Sequence, residues 1–416
     1  MISVEEALDR ILGSIEPLGI EKVNILDSLG RVIGEDVCAS RNIPPRNNSA
    51  MDGYAVRWED TRNASRERPV VLDVVEDIPA GAIPGKRIGT GKAARIMTGA
   101  PVPEGGTAVV RVEDTKKDGR KVKIFVEAEE GQDIRWAGED VREGEQVISR
   151  GDVIRPAEVG MLAALGRSYI YVYQRPMIAV IATGDELVDI DDTPSQWQIV
   201  SSNSYSITAQ IIECGGIPLQ LGIAKDTRDE LIAKFNAALR ANIIISSGGV
   251  SVGDYDLVKD IMQEVGNQMQ FWQVAMRPGK PLAFGSMRGI PVFGLPGNPV
   301  SSMVSFEQFV RPSILKMMGC RRLFRRTVTA TSMENITKKK GTTHFIRARV
   351  EYENGEFLVT TTGEQGSGIL KSMVRANGLI VLPEKTGHVA KGEEVTVQLL
   401  DQSFEFTSRP EYLINT

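Results

Sequence analysis

Apolar residues first fall at helical spacing: Val4, Ala7, Leu8, Ile11, Leu12 and Ile15 recur on one face, and Ser3 with Glu6 has the spacing of a capping box. This predicts an amphipathic helix over 3–15. From about 44 to 140 the rhythm becomes short alternating runs broken by Gly and Pro, in VVLDVVED, ARIMTG, TAVVRVED and KVKIFVEA, and predicts a small β domain. Helical spacing returns in PAEVGMLAAL (156–165), with Pro156 suited to a first turn and Gly166 to a C-terminal cap. Residues 1–43 and 141–175 are therefore expected to form one discontinuous helical domain, with 44–140 inserted.

From 176 strands and helices alternate. MIAVIA (177–182) and NIIIS (242–246) are short continuous apolar runs, as in strands buried on both faces. SYSITAQIIEC (204–214) reads as a helix stopped by Gly215 and Gly216, PLQLGIA as a strand, and 228–241 as a helix. A further helix is expected after 256, through about 265. GIPVFGLPG (289–297) reads as a strand, and Pro299–Met318 as one long helix with Asn298 at its N-cap. The pattern predicts a central, doubly wound α/β domain over 176–320, which binds ligands beyond the carboxyl ends of its strands. After 320 the chain is β-rich: VEYENGEFLVTTT is a hairpin turning at Asn354-Gly355, followed by ANGLIVLP and EEVTVQLL, and 321–416 is expected to be a separate C-terminal β-barrel.

At 416 residues the chain is expected to hold several domains, and 42% hydrophobic with 25% charged residues is the balance of a soluble globular protein. A net charge of −5 gives no general attraction for nucleic acid or acidic membranes, so an anionic ligand must be held by a local site. The acidic start, MISVEEALDR, is unlike a signal or transit peptide, and no apolar run reaches eighteen residues. With three scattered cysteines, Cys38, Cys214 and Cys320, these features predict a cytoplasmic protein. The two histidines, His344 and His388, lack suitable neighbours for a zinc site or a Ser-His-Asp triad. Chemistry is left to carboxylates, amides, Lys and Arg.

Four polar loops follow the central strands: Thr183-Gly184-Asp185-Glu186, Lys225-Asp226-Thr227, ISSGGVSVGDYD (245–256) and Leu295-Pro296-Gly297-Asn298-Pro299. Glycine amides such as those of Gly248 and Gly249, and helix N-termini, receive anions. Carboxylates hold hard cations, often together with a phosphate. The third loop contains both, which reconciles a phosphate cradle with Asp254 and Asp256 through a bridging Mg²⁺. Each feature also has a plainer reading. The two aspartates complement a helix dipole, the glycines make a tight turn, Glu186 and Asp226 are solvated, and Arg277 and Lys280 lie on the surface. The coincidence of four loops at one sheet edge favours a polyanion and metal site. The glycines match neither GxGxxG nor GxxxxGK[ST], which sets aside NAD-dependent and P-loop enzymes.

NSAMDGYAV (48–56), RIMTGAPVPEGGTAVVRVED (95–114), Gly138-Glu139-Asp140, ATGDEL (182–187), SSGGVSVGDYD (246–256), RPGKP (277–281), GLPGNPVSS (294–302), HFIRARV (344–350) and Gly363–Pro383 appear in this order. On these motifs the chain resembles, nearly end to end, the MoeA family of molybdopterin molybdenumtransferases, related to the gephyrin C-terminal domain. The resemblance implies a four-part subunit with a MogA-like central domain. It also implies an elongated homodimer whose cleft combines the central domain of one copy with the β domain of the other. The implied reaction takes adenylylated molybdopterin and molybdate, with Mg²⁺, to molybdenum cofactor and AMP. Ser247, Gly248, Gly249, Ser251 and Gly253, with Pro296, Gly297, Asn298, Pro299 and Ser301, would hold the pterin and its phosphates. Asp226 and Asp256 would place Mg²⁺, with Glu186 and Asp254 beside it. Arg277, Lys280, Arg347 and Ser367 would meet anionic ligands, and Asp52, Thr98 and Asp140 would line the opposite wall. Implied protein partners are a molybdopterin adenylyltransferase and apo-molybdoenzymes. Arg46 stands where the family usually has an aromatic residue, and Arg277 where some members have Lys. Two rival readings are a MogA-like adenylyltransferase, which the full set of extra domains opposes, and a non-catalytic gephyrin-like scaffold, which the acidic loops oppose.

Overall fold

The computed structural model describes residues 1–248, 267–271, 273–353, 355–401 and 404. The chain separates into two compact units, Met1–Glu21 with Tyr173–Thr416, and Lys22–Val172. The first unit is built on β1 (Met177–Thr183), β2 (Ile217–Ala224), β3 (Ile243–Ser247), β4 (Asn267–Phe271), β5 (Ala283–Met287) and β6 (Ile290–Leu295). These lie in the order β2-β1-β3-β6-β5-β4. The first four in that order pair in parallel, and β5 and β4 continue the sheet antiparallel. This edge departs from the sequence expectation, because NQMQF and AFGSM carry too many polar and small residues to read as buried strands.

β1 as far as Ala182 and β3 as far as Ile245 are apolar because both faces are covered. Ile178, Val180, Ile243 and Ile245 enter one core with Ile207 and Ile211 of helix Ser202–Glu213. Ala179, Ile181 and Ile244 enter another with Leu231 and Phe235 of helix Arg228–Ala238. The doubly wound reading holds, and the strand order reverses between β1 and β3, where such sheets open a crevice. Helix Val4–Gly13 buries Ala7 and Ile11 in the first core, and the Glu6 N–H donates to Ser3 Oγ at 3.0 Å.

The single helix expected over Pro299–Met318 is three segments: α-helix Pro299–Ser305, a π-helical turn Phe306–Val310, and α-helix Arg311–Met317. Pro312 supplies the reason, since it lacks an N–H and its ring crowds the preceding turn, which a π-turn accommodates. Asn298 occupies the N-cap position but its side chain makes no capping bond. The π-turn carries Glu307 into the interior, where Arg325 Nε donates to Glu307 Oε1 at 2.8 Å and Arg325 Nη2 to Glu213 Oε1 at 2.7 Å. Arg311 Nε stands 3.5 Å from the same Glu307 oxygen. Burial pushes the Glu307 carboxyl up, and the two guanidinium groups oppose that shift. Arg325→Met removes the hydrogen-bonded cation from Glu307 and leaves Arg311 at 3.5 Å, so it is expected to cost about 1.5–3 kcal/mol, the scale of a lost hydrogen bond to a charged group. A chemical-denaturation midpoint measures it.

β7 (Thr327–Ser332), β8 (Thr343–Glu353), β9 (Glu356–Thr361), β10 (Gly378–Leu382) and β11 (Glu394–Leu399) run in the order β8-β9-β7-β11-β10, and β10 pairs back to β8. This closes a five-stranded barrel around Ile346, Ala348, Val350, Val359, Ile380 and Val397. Residues Met276–Arg277 add to its start in parallel, with Arg277 opposite His344. The hairpin turn is described only at Gly355, whose φ of 90° is left-handed; Asn354 lies outside the described residues.

The second unit holds a six-stranded sheet drawn from Gly53–Val56, Val70–Ile78, Lys92–Ile96, Ala108–Arg111, Thr115–Asp118 and Lys121–Ile124. Beside it, residues 22–43 share a core with 141–172 through Ile33, Val37, Val141, Ile154, Leu162 and Val172. Among the described residues, no helix is long and apolar enough to cross a membrane.

Candidate active site

The carboxyl ends of β1, β2, β3 and β6 surround a cavity of about 540 Å³. Its lining brings together Thr183, Gly184, Glu186, Asp226, Ser247, Gly248, Pro296, Gly297, Asn298 and Pro299, contributed by all four predicted loops. Gly248 has φ of 94°, and a Cβ there would stand 2.6 Å from the Thr183 carbonyl oxygen, so only glycine fits the cavity floor. Gly249, Ser251, Gly253, Asp254 and Asp256 lie outside the described residues. Asn203, which sequence reasoning did not select, donates from Nδ2 to Ser247 Oγ at 3.0 Å and to the Gly297 carbonyl at 2.8 Å, tying β3 to the loop after β6. The buried atoms Thr183 Oγ1 and Asn203 Oδ1 have no hydrogen-bond partner among the described residues.

One wall is acidic. The Asp226 N–H donates to Asp185 Oδ1 at 3.0 Å, and partial burial, then the charges of Asp185 and Glu186, push the Asp226 carboxyl up. No Lys or Arg among the described residues lines this cavity. Among the described residues, no group of three or more His, Cys, Asp or Glu is arranged as a metal site. Two uncompensated carboxylates, Glu186 and Asp226, nevertheless have the oxygen chemistry a divalent cation requires, and room beside them for other ligands.

A second cavity, of about 580 Å³, lies beside the first and shares Pro281, Pro296 and Asn298 with it. Its character is opposite. Arg277, Lys280, Lys338 and Arg347 line it with Ser301, His344, Gln365 and Ser367, and among the described residues no carboxylate does. The side chains of Arg277 and Lys280 form no hydrogen bond or ion pair among the described residues. Arg347 is 1% exposed, and its Nε donates to Ser372 Oγ and its Nη2 to the Gly366 carbonyl, both at 3.1 Å. Gln365 clamps the Arg347 backbone by accepting from its N–H at 2.9 Å and donating to its carbonyl at 3.1 Å. With no countercharge among the described residues, burial pushes the guanidinium down to about 10. A desolvated cation in such a lining is stabilised by an anion.

Lys338 and His344 were not selected from the sequence, because only barrel closure brings them beside Arg277. Lys338 Nζ donates to the Thr342 carbonyl at 2.8 Å. Burial, then Lys338 and Arg277, push the His344 imidazole down to about 4, so it is neutral at pH 7. Between pH 6.5 and about 4 the unfolded chain binds a proton at this residue and the folded chain does not, so stability rises with pH across that window. His344→Gln is expected to flatten that part of the stability curve, read from thermal melts at stepped pH.

The remaining predicted residues belong to the other unit. Thr98 donates from both its N–H and its hydroxyl to Asp52 Oδ1, each at 2.7 Å, and these bonds hold the Asp52 carboxyl below its usual range. The Asp140 N–H donates to the Ile43 carbonyl at 3.0 Å. Arg46 is exposed, so a charge there replaces no buried aromatic group.

A doubly wound domain with an acidic and a cationic cavity at its strand ends is the architecture of a protein that binds small charged ligands. Matches to family models cover most of the chain: the MoeA N-terminal region (domains I and II) over 2–166, a probable molybdopterin binding domain over 179–316, and the MoeA C-terminal region (domain IV) over 329–400. The chain is similar to molybdopterin molybdenumtransferase 2 of Mycobacterium tuberculosis, at 39% identity over 90% of this chain and 94% of that one. It is also similar to molybdopterin molybdenumtransferase of Bacillus subtilis, at 35% identity over 96% and 94%. A crystal structure of the molybdopterin biosynthesis MoeA protein of Pyrococcus horikoshii superposes with TM-score 0.84 at 30% identity, covering 96% of this chain and 99% of that one. The chain belongs to the MoeA family.

Proposed function

We propose that the protein transfers molybdenum from molybdate to adenylylated molybdopterin, releasing AMP. Family membership makes it a transferase of molybdenum cofactor biosynthesis. The finer reading rests on one observation: two adjoining cavities of opposite charge share Pro281, Pro296 and Asn298. The reaction needs this division, because an oxyanion and a phosphoanhydride must be brought together despite like charge.

In this reading Arg277, Lys280, Arg347, Ser301 and Ser367 receive molybdate in the cationic cavity. Ser247, Gly248, Pro296, Gly297, Asn298 and Pro299 cradle the nucleotidyl-pterin in the other. Glu186 and Asp226, with Asp256 on the loop outside the described residues, would hold Mg²⁺, and Asp254 belongs to the same loop. Bound there, the cation would offset phosphate charge and assist departure of AMP. Lys280 and Arg277 neutralise the incoming oxyanion. The fixed Arg347 fork orients it, and the apolar wall of Leu187, Ile199 and Val200 limits water at the pterin end.

Homodimerisation in the cytoplasm belongs to the same proposal, with Asp52, Thr98 and Asp140 supplied to the reaction by a second copy. The four-part division of the subunit at 1–43 with 141–175, 44–140, 176–320 and 321–416 also belongs to it, as do the partner adenylyltransferase and apo-molybdoenzymes. Mixing inactive Asp52→Asn and Asp226→Asn proteins tests the shared site. Recovered AMP release supports it, and no recovery from a confirmed mixed dimer overturns it.

A further inference from the structure

The rim of the acidic cavity carries a feature for which the proposed reaction has no role. The segment from Asp189 to Val200 is polar in composition, yet it exposes Ile190, Trp197, Ile199 and Val200. Trp197, at 83%, is the most exposed large apolar side chain among the described residues. Single exposed apolar residues are ordinary, but four within eleven positions beside a binding cavity call for a partner.

The segment is held in place. Tyr205 donates its hydroxyl to Asp189 Oδ1 at 2.7 Å, and the Ile199 N–H donates to the Glu186 carbonyl at 2.8 Å. The Gln198 N–H donates to the Ser195 carbonyl at 3.1 Å, while the Ser195 N–H donates to Gln198 Oε1 at 3.2 Å. Trp197 therefore sits in a closed turn, two residues before Ile199, which lines the cavity with Leu187 and Val200.

Charge selects what this rim can receive. Asp189, Asp191 and Asp192 lie in or beside the segment, and among the described residues no cation lines the cavity, so phosphate without its Mg²⁺ is disfavoured at the Trp197 rim. A neutral planar ring is not. Asn203 supplies an independent indication. Its Nδ2 donates to the Gly297 carbonyl, which can only accept, so the amide orientation is fixed and Oδ1 remains a buried acceptor without a donor among the described residues. The exocyclic amine of adenine, and the exocyclic amine and ring N–H groups of a pterin, are such donors.

We propose that Trp197 stacks on the nitrogen heterocycle of the phosphorylated substrate, making it a positioning and specificity residue for the ring. This rests on the reading of the cavity as the nucleotidyl-pterin site. Adenine and pterin share the necessary chemistry, and separate probes distinguish them.

The test titrates wild type, Trp197→Ala and Trp197→Phe with AMP and with a phosphorylated pterin, by equilibrium dialysis and tryptophan fluorescence. The expected result is quenching by one of the two probes. Affinity for that probe falls about tenfold in W197A, the scale of one base–aromatic stack, and is largely kept in W197F. The KM for adenylylated molybdopterin rises by a similar factor while kcat stays within about twofold. Unchanged affinity of W197A for both probes overturns the proposal. So does loss of self-association in W197A with ring binding intact, which assigns the patch to a second copy. Gly248→Val, or Asn298→Trp should the former not fold, blocks the cavity itself. If the folded blocked variant also binds both probes normally, the reading of the cavity fails rather than the role of Trp197.

Discussion

Arg347→Met is expected to lower molybdate-dependent AMP release by about 10²–10³-fold, the scale seen when one preorganised charge-stabilising donor is removed. It is also expected to abolish retention of molybdate in equilibrium dialysis. Arg347 lies on β8, with its backbone clamped by Gln365 and its side chain buried without a carboxylate among the described residues. A structural role alone would pair such a cation or replace it by an apolar residue. Methionine keeps much of the length and apolar volume, so the barrel should stay folded while the charge is lost. Arg347→Lys restores charge without the planar fork and should recover part of the activity. Normal molybdate retention by a folded R347M protein would remove the cationic cavity from the mechanism.

Asp226→Asn is expected to reduce turnover by about 10²-fold, since several kcal/mol of charge stabilisation depend on metal placement, and to raise the Mg²⁺ concentration needed for half-activity. The sign of its stability effect is opposite. Partial burial with Asp185 and Glu186 raises the carboxyl, so ionised Asp226 destabilises the metal-free fold above that raised pKa, and the penalty disappears below pH 3.8. The neutral variant should therefore melt, without metal, at the wild-type temperature or above at pH 7. Activity lost with stability kept marks a functional carboxylate. Unchanged activity and Mg²⁺ dependence would return Asp226 to the solvated surface.

Much of the central cavity was legible because its parts carry local signals. β1 and β3 are continuous apolar runs, and the polar, Gly- and Pro-containing loops begin where those runs end. Parallel topology then brings sequence-distant loops to one edge without further information. The cationic cavity was legible only in part. Arg277 and Lys280 stand out in RPGKP, but Lys338 and His344 become their neighbours only because Met276–Arg277 adds to β8 and the barrel closes. The missing countercharge of Arg347 is likewise a property of packing, since HFIRARV places no restriction on what surrounds its first arginine. Asn203 was hidden in a run of serines with nothing to mark it as a bridge between β3 and the loop after β6. The π-turn at Phe306–Val310 had a local cause in Pro312, but apolar spacing alone fits one continuous helix. Trp197 was passed over because an exposed aromatic residue in an acidic loop has no periodicity. Its interest comes from Ile199 and Val200 on the cavity wall.

The central claim is that the two cavities bring molybdate and adenylylated molybdopterin together. Its most direct test is AMP release by the purified protein from adenylylated molybdopterin, measured with Mg²⁺ and with or without molybdate. AMP release that requires molybdate and is lost in R347M and D226N is the predicted result. Release equal in the presence and absence of molybdate, or adenylylation of molybdopterin from ATP instead, would contradict it.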